Sequence, residues 1–278
     1  MKKWIFWDIG DVIFNEDYLR FAMYEKLFRF LRRVEPDISF EQLMEMRRKK
    51  ILHHHSESPI LDIAGEYLDA RVYKKFHEEL MYFYKHYHGK FIKLIPRITT
   101  IIHVLSKKYN LGVIANQPAF IKNYMNNSIL KNKFSAIFLS GDVGMKKPDR
   151  KLFLYALEKT KAEPEFSFYI GNRIDHDILP ALHVGMKPVL LYLSPEERGF
   201  IPSTHFERQF FASITELPEW PVNLNYASGM VPVLTRVAEL EDFDWNNYSF
   251  NPSEMFSKPE QELSLKELIK KIITGELD

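Results

Sequence analysis

The 278-residue chain contains no cysteine. That absence excludes a disulfide framework, a thiolate metal site and a cysteine nucleophile. Neither sign of charge is in excess: 38 Lys and Arg stand against 37 Asp and Glu, a formal net charge of +1. Nothing therefore draws the whole molecule towards DNA, RNA or anionic lipid. No apolar run reaches the ~18–20 residues of a membrane-spanning helix. The first apolar stretch stops at Asp8, well short of the ~7–15 residues of a secretion signal's core. The expectation is a cytoplasmic protein with neither a nucleic-acid nor a membrane partner. Internal repeats and low-complexity tracts are absent as well.

What remains is ample for a core: 46% of residues are hydrophobic and 14% aromatic. At ~100–200 residues per domain, this length suits one large domain or a domain with a smaller companion. Trp4-Ile5-Phe6-Trp7 reads as a strand covered on both faces, ending in the turn-like Asp8-Ile9-Gly10-Asp11. Residues 15–94 then change character. Leu19, Met23, Leu27, Phe28 and Leu31 recur at helical spacing, Ser39 and Gln42 form a capping-box pattern, and residues 71–88 are aromatic and helix-periodic. Few glycines or prolines interrupt this stretch, which reads as an all-helical insertion.

From residue 95 the pattern alternates. Helices are expected over 96–110, 118–130, 149–161 and 175–185, and strands over 111–116, 136–140, 166–171 and 188–193. Residues 212–217 are expected to close the core. This is the signature of an α/β, Rossmann-like, mostly parallel sheet with helices on both faces. In such sheets ligands sit beyond the C-terminal ends of the strands. The expected organisation is an α/β core from 1–14 and 95–220, a helical insertion from 15–94, and an extension over 221–278. The extension carries Trp245 and Phe256 and a capping box at Ser264 and Glu267.

Four segments bring polar residues to the strand ends: Asp8, Asn116 with Gln117, Lys147 in Lys146-Lys147-Pro148-Asp149, and Asn172 with Asp177. A carboxylate, an ammonium, an amide and a second carboxylate at one sheet edge suit an anion and a hard cation such as Mg²⁺. Simpler roles are open beside these. Asp8 can end a strand, Lys147 can be a surface lysine, Asn116 can cap the helix after Pro118, and Asn172 and Asp177 can form a turn and a cap. His53-His54-His55 point apart on a helix and pair with no acid. The basic run 44–50 suits a solvated face, and Tyr82, Phe83, Tyr84 and Tyr87 suit a core or subunit contact.

The order strand-Asp, helical insertion, strand-Asn, Lys-Pro-Asp, then Gly-Asn-x-x-x-x-Asp resembles the haloacid dehalogenase superfamily, over residues 1–15 and about 95–217. Those proteins are mostly phosphohydrolases with a mobile cap. The resemblance implies that Asp8 is a nucleophile forming an aspartyl-phosphate. It implies Lys147 as the cation holding nucleophile and phosphate. Mg²⁺ would lie on Asp8, the Gly10 carbonyl, Asn172 and Asp177, with substrate contacts at Asn116, Gln117 and Asp11.

Three positions depart from the pattern: Gly10 replaces the general acid/base, Ala115 a hydroxyl, and Asn172 an acid. A general acid contributes ~10²–10⁴-fold. The implied activity is a phosphatase with weakened motifs acting on a small phosphorylated metabolite. The alternatives are a catalytically inactive binding or assembly protein, with homodimerisation through the cap or extension, and a metal-free dehalogenase-like enzyme.

Overall fold

Trp4–Trp7 forms strand β1, whose last three residues are wholly inaccessible. A run without a polar face belongs at the centre of a sheet. In the computed structural model, which describes residues 3–52, 58–215 and 231–248, β1 lies inside six parallel strands. Strands β2 (Phe14–Asn15) and β3 (Lys93–Leu94) form a separate two-stranded ribbon. The remaining strands are β4 (Asn110–Ala115), β5 (Ala136–Leu139), β6 (Ser167–Gly171), β7 (Lys187–Leu191) and β8 (Val233–Leu234). The sheet order is β5-β4-β1-β6-β7-β8, every neighbouring pair parallel. Trp7 lies in register with Val113 on one side and Ile170 on the other, so the residues that follow all three strands emerge at one edge.

The chain divides into two units. The α/β unit comprises Met1–Phe14, Leu94–Leu193 and Pro221–Asp278; the helical unit comprises Asn15–Lys93 and Ser194–Trp220. In the helical unit α1 (Asp17–Val34), α2 (Phe40–Leu52), α3 (Pro59–Tyr67) and α4 (Ala70–Phe91) follow in order. The capping box at the start of α2 is present: Ser39 N–H donates to Gln42 Oε1 at 2.7 Å, and Gln42 N–H to Ser39 Oγ at 3.1 Å.

In the α/β unit come α5 (Ile98–Lys108), α6 (Phe120–Asn126), α7 (Ser140–Val143), α8 (Arg150–Thr160) and α9 (Leu179–His183). Helices α8 and α9 pack on the sheet face carrying Phe6, Ile114 and Tyr169. Phe168 precedes Tyr169 and so faces the other way. Against it stands Trp245, ring centroids 5.2 Å apart. Gly112 of β4 is a packing glycine, because a Cβ there would come within 2.5 Å of the Phe6 ring.

Three expectations change. Residues 205–215, placed in the core by sequence, form α10 (His205–Thr215) in the helical unit, where Phe200, Phe210 and Ile214 join a cluster with Tyr24, Phe28 and Phe40. Helical periodicity marks an apolar face but not which core receives it. Second, residues 231–248 are part of the α/β unit: they supply edge strand β8 and α11 (Glu239–Asp242), and Trp245 is buried by its own chain. Third, the basic run 44–50 is not uniformly solvated. Arg47 is 5% exposed, its guanidinium over the rings of Tyr24 and Phe210. Tyr82 is exposed, its ring tilted against that of His86 at 4.3 Å between centroids. His53 to His55, Phe256 and the helix expected from Ser264 lie outside the described residues.

Candidate active site

The last residue pair of β1 and its turn set the first component. Asp8 N–H donates to Ile170 O at 2.8 Å, fixing the residue to β6. The chain then reverses: Ile13 and Phe14 N–H both donate to Ile9 O, and Asp11 N–H donates to Phe14 O. Asp11 sits at φ 56°, left-handed backbone that Asp tolerates better than most residues. It is buried, on the reversing turn. The Gly10 carbonyl takes none of these turn hydrogen bonds.

Lys147 is the centre of the cluster. Its Nζ donates to Asp8 Oδ1 at 2.7 Å, to Asp177 Oδ1 at 2.5 Å and to the Tyr169 hydroxyl at 3.0 Å. The side chain is 3% exposed, against 14% for Asp8 and 1% for Asp177. Burial alone lowers an ammonium, but the carboxylates of Asp177 and Asp8 outweigh it and hold Lys147 above the ordinary lysine value. Burial pushes the Asp8 carboxyl up to about 6; the Lys147 charge pulls it back and that of Asp177 adds to the rise.

Asn116 does not cap the helix after Pro118. Its side-chain Nδ2 donates to Lys147 O at 2.8 Å, and its Oδ1 accepts from Lys147 N–H at 2.7 Å. Both amide atoms clasp the Lys147 backbone, and α6 takes no side-chain cap. Gln117 is buried, and its carbonyl accepts from Gly141 N–H at 3.1 Å.

The turn after β6 is wider than an α-helix: Leu179 N–H reaches back to Ile174 O, five residues away. Such π-turns recur at functional sites. This one points Asp177 inward. Asp177 Oδ2 accepts from the backbone N–H of Asn172 at 3.1 Å and of Arg173 at 2.9 Å, while Oδ1 takes Lys147 and Tyr169. Lys147 and two backbone N–H groups thus engage both oxygens, with the Tyr169 hydroxyl close by, and Asp177 seats the Lys147 ammonium. The Asn172 side chain makes no hydrogen bond among the described residues and stays partly exposed.

Sequence reasoning missed Tyr169 and Asp175. Asp175 accepts from Arg173 Nε at 3.0 Å and Nη2 at 2.6 Å, and lies 2.9 Å from His176 Nδ1. These partners hold its carboxyl well below the ordinary range despite burial. A tyrosine in an apolar run reads as core, and only its neighbours in space reveal the polar tip.

The arrangement presents one buried carboxylate against a seated ammonium at the end of a central parallel strand. A cation site is less complete. Among the described residues no three His, Cys, Asp or Glu side chains cluster in a way that would hold a metal. The oxygens of Asp8, Gly10 and Asn172 are hard donors suited in kind to Mg²⁺, but only one carries charge. No described helix is long and apolar enough to cross a membrane.

Comparison with known proteins agrees with this reading of the fold. The glyceraldehyde 3-phosphate phosphatase of Methanothermobacter thermautotrophicus is 32% identical over 48% of this chain and 62% of its own length. That of Pyrococcus furiosus is 26% identical over 78% of this chain and 90% of its own. A crystal structure of a HAD-superfamily hydrolase, subfamily IA, variant 1, from Geobacter sulfurreducens superposes with a TM-score of 0.54 at 18% identity, covering 68% of this chain and 87% of that one. The sequence model for haloacid dehalogenase-like hydrolases matches residues 5–191. The chain belongs to the haloacid dehalogenase-like hydrolase family.

Proposed function

We propose that the protein is a phosphatase for a small phosphorylated metabolite, with Asp8 as nucleophile. The observation that carries this reading is the 2.7 Å contact between Asp8 and the buried Lys147 ammonium, itself seated on Asp177. Relatives named glyceraldehyde 3-phosphate phosphatase support the substrate class.

An Asp8 oxygen attacks phosphorus as the bond to the leaving alkoxide breaks. The alkoxide takes its proton from water, because Gly10 offers no side-chain acid. Water then cleaves the aspartyl-phosphate, releasing orthophosphate and restoring the Asp8 carboxylate. Lys147 offsets the negative charge that gathers there, and positioning with electrostatic stabilisation supplies most of the catalysis. Asn116 holds the Lys147 backbone, and Asp177 holds its ammonium. Mg²⁺ is the family's usual cation. Here Asp8, the Gly10 carbonyl and Asn172 would hold it weakly, and it would supply further charge neutralisation at the phosphoryl oxygens. The helical unit is the cap of this architecture.

The test is a phosphate-ester panel with and without Mg²⁺, using wild type and Asp8→Asn. The expected result is turnover lost in Asp8→Asn, with a phosphorylated wild-type chain trapped by rapid acid quench. Turnover equal in the two proteins, or absent from the whole panel, overturns the reading. A second reading, a binding protein that has lost turnover, is favoured by the joint replacements at Gly10, Ala115 and Asn172. It predicts phosphate-ester binding without hydrolysis. Halide release from 2-haloacids without metal would instead identify a dehalogenase.

A further inference from the structure

We propose that Tyr169 is a positioning residue, whose buried hydroxyl is the third acceptor fixing the Lys147 ammonium between Asp8 and Asp177. An ammonium has three N–H donors and no acceptor. Here three acceptors surround it within 3.0 Å: Asp8 Oδ1, Asp177 Oδ1 and Tyr169 Oη. With a buried ammonium this count is exact, and removing one acceptor leaves an unsatisfied donor where water does not reach.

The hydroxyl is itself anchored. Its oxygen takes the Lys147 proton, so its single hydrogen goes outward, to Ile114 O at 2.9 Å or Asp177 Oδ1 at 3.0 Å. Ile114 lies on β4 and Tyr169 on β6, the two strands that flank β1. Donated to Ile114 O, the hydroxyl ties both neighbours of Asp8's strand to the cation that faces Asp8. The ring is fully buried, with Phe153 edge-on at 5.0 Å and Lys147 Nζ 5.7 Å from its centroid. Burial raises the phenol well above its ordinary value, so it remains a protonated, neutral acceptor.

Without the hydroxyl, only Asp8 and Asp177 hold the ammonium, and it is expected to shift towards Asp177, its shorter contact. The loss falls on the charge that develops during reaction and not on ground-state binding. The kinetic part of the inference rests on the phosphatase reading above; the geometric part does not.

The experiment uses Tyr169→Phe in the full chain, beside Phe153→Leu, which thins the packing on the ring and keeps the hydroxyl. In Tyr169→Phe, kcat is expected to fall by about tenfold with KM within about twofold, and Phe153→Leu to keep wild-type kcat per folded molecule. The second readout needs no substrate. In ¹⁵N-lysine-labelled wild type, the Lys147 ammonium gives a slowly exchanging signal with cross-peaks to the Tyr169 ring. That protection is expected to be lost in Tyr169→Phe and retained in Phe153→Leu.

Equal protection in Tyr169→Phe and wild type overturns the inference, as does a wild-type ammonium that exchanges freely. The latter measurement decides the matter even where the Phe variant does not fold. A wild type that hydrolyses no ester overturns the phosphatase reading alone, and the NMR result then stands by itself.

Discussion

Asp8 lies under opposing pulls, burial and Asp177 disfavouring its charge and Lys147 favouring it, with a balance at about 6. A nucleophile must be ionised, so kcat/KM is expected to be level above pH 7 and to fall about tenfold per unit below pH 6. A pH–rate profile checks this. The linked effect on stability has the opposite sense. The folded carboxyl binds its proton more tightly than the ordinary 3.8, so this group's contribution is full below that value and is lost as pH rises to about 6. Lys147→Met leaves two buried carboxylates without their cation. It is expected to cost ~3–5 kcal/mol at pH 7.5, with part regained at pH 5.5, as read by urea unfolding at the two pH values. Asn172→Asp adds one negative charge to the remaining oxygen donors. Half-maximal Mg²⁺ is expected to drop about tenfold or more, measured by titrating activity with the ion. Asp8 and Lys147 were legible in sequence because an acid after a buried run and a lysine before Pro-Asp carry local signals. The Asn116 clasp was not, since its partner is 31 residues away, and neither was Tyr169, whose polar role is visible only from the strands beside it.

At the level of elements, β6 and its π-turn show how closely backbone and site are fitted. A Cβ on Gly171 would stand 2.4 Å from Asp177 Cβ. Gly171→Ala is therefore expected to push Asp177 off Lys147, lowering kcat by at least tenfold and stability by ~2 kcal/mol, read by kinetics and urea unfolding together. Strands β1, β4, β5, β6 and β7 were legible almost to the residue, because short bulky runs bounded by polar residues have few other readings; the two-residue strands β2, β3 and β8 were not. The helix expected over 175–185 was only half so. Its first turn opens to five-residue hydrogen bonding, which no periodicity records. In α4, burial lowers the His88 imidazole to about 4. The neutral ring is the folded form, so stability is full above pH 6.5 and falls as pH drops towards 4. His88→Gln is expected to flatten that part of the stability–pH curve, measured by thermal unfolding between pH 4.5 and 7.

For the molecule as a whole, the segment after β7 belongs to the helical core. Phe210 is fully buried among Phe21, Tyr24 and Phe200, and Asp17 is held by Arg20 and Arg198. Phe210→Ala is expected to cost ~3–5 kcal/mol, read by urea unfolding, although it lies far along the chain from residues 15–93. The two-unit organisation was legible in sequence as a change of pattern near residue 15 and again near 95. The return of 194–215 was not, because it is a long-range pairing of two amphipathic surfaces. That return sets a timetable for synthesis. Helices α1 to α4 leave the ribosome as a continuous stretch, yet their core lacks Phe200, Phe210 and Ile214 until roughly 120 further residues have been made. At ~5–20 residues per second, the nascent helices wait on the order of ten seconds with an open apolar flank, a window in which a chaperone that shields such surfaces would have its effect.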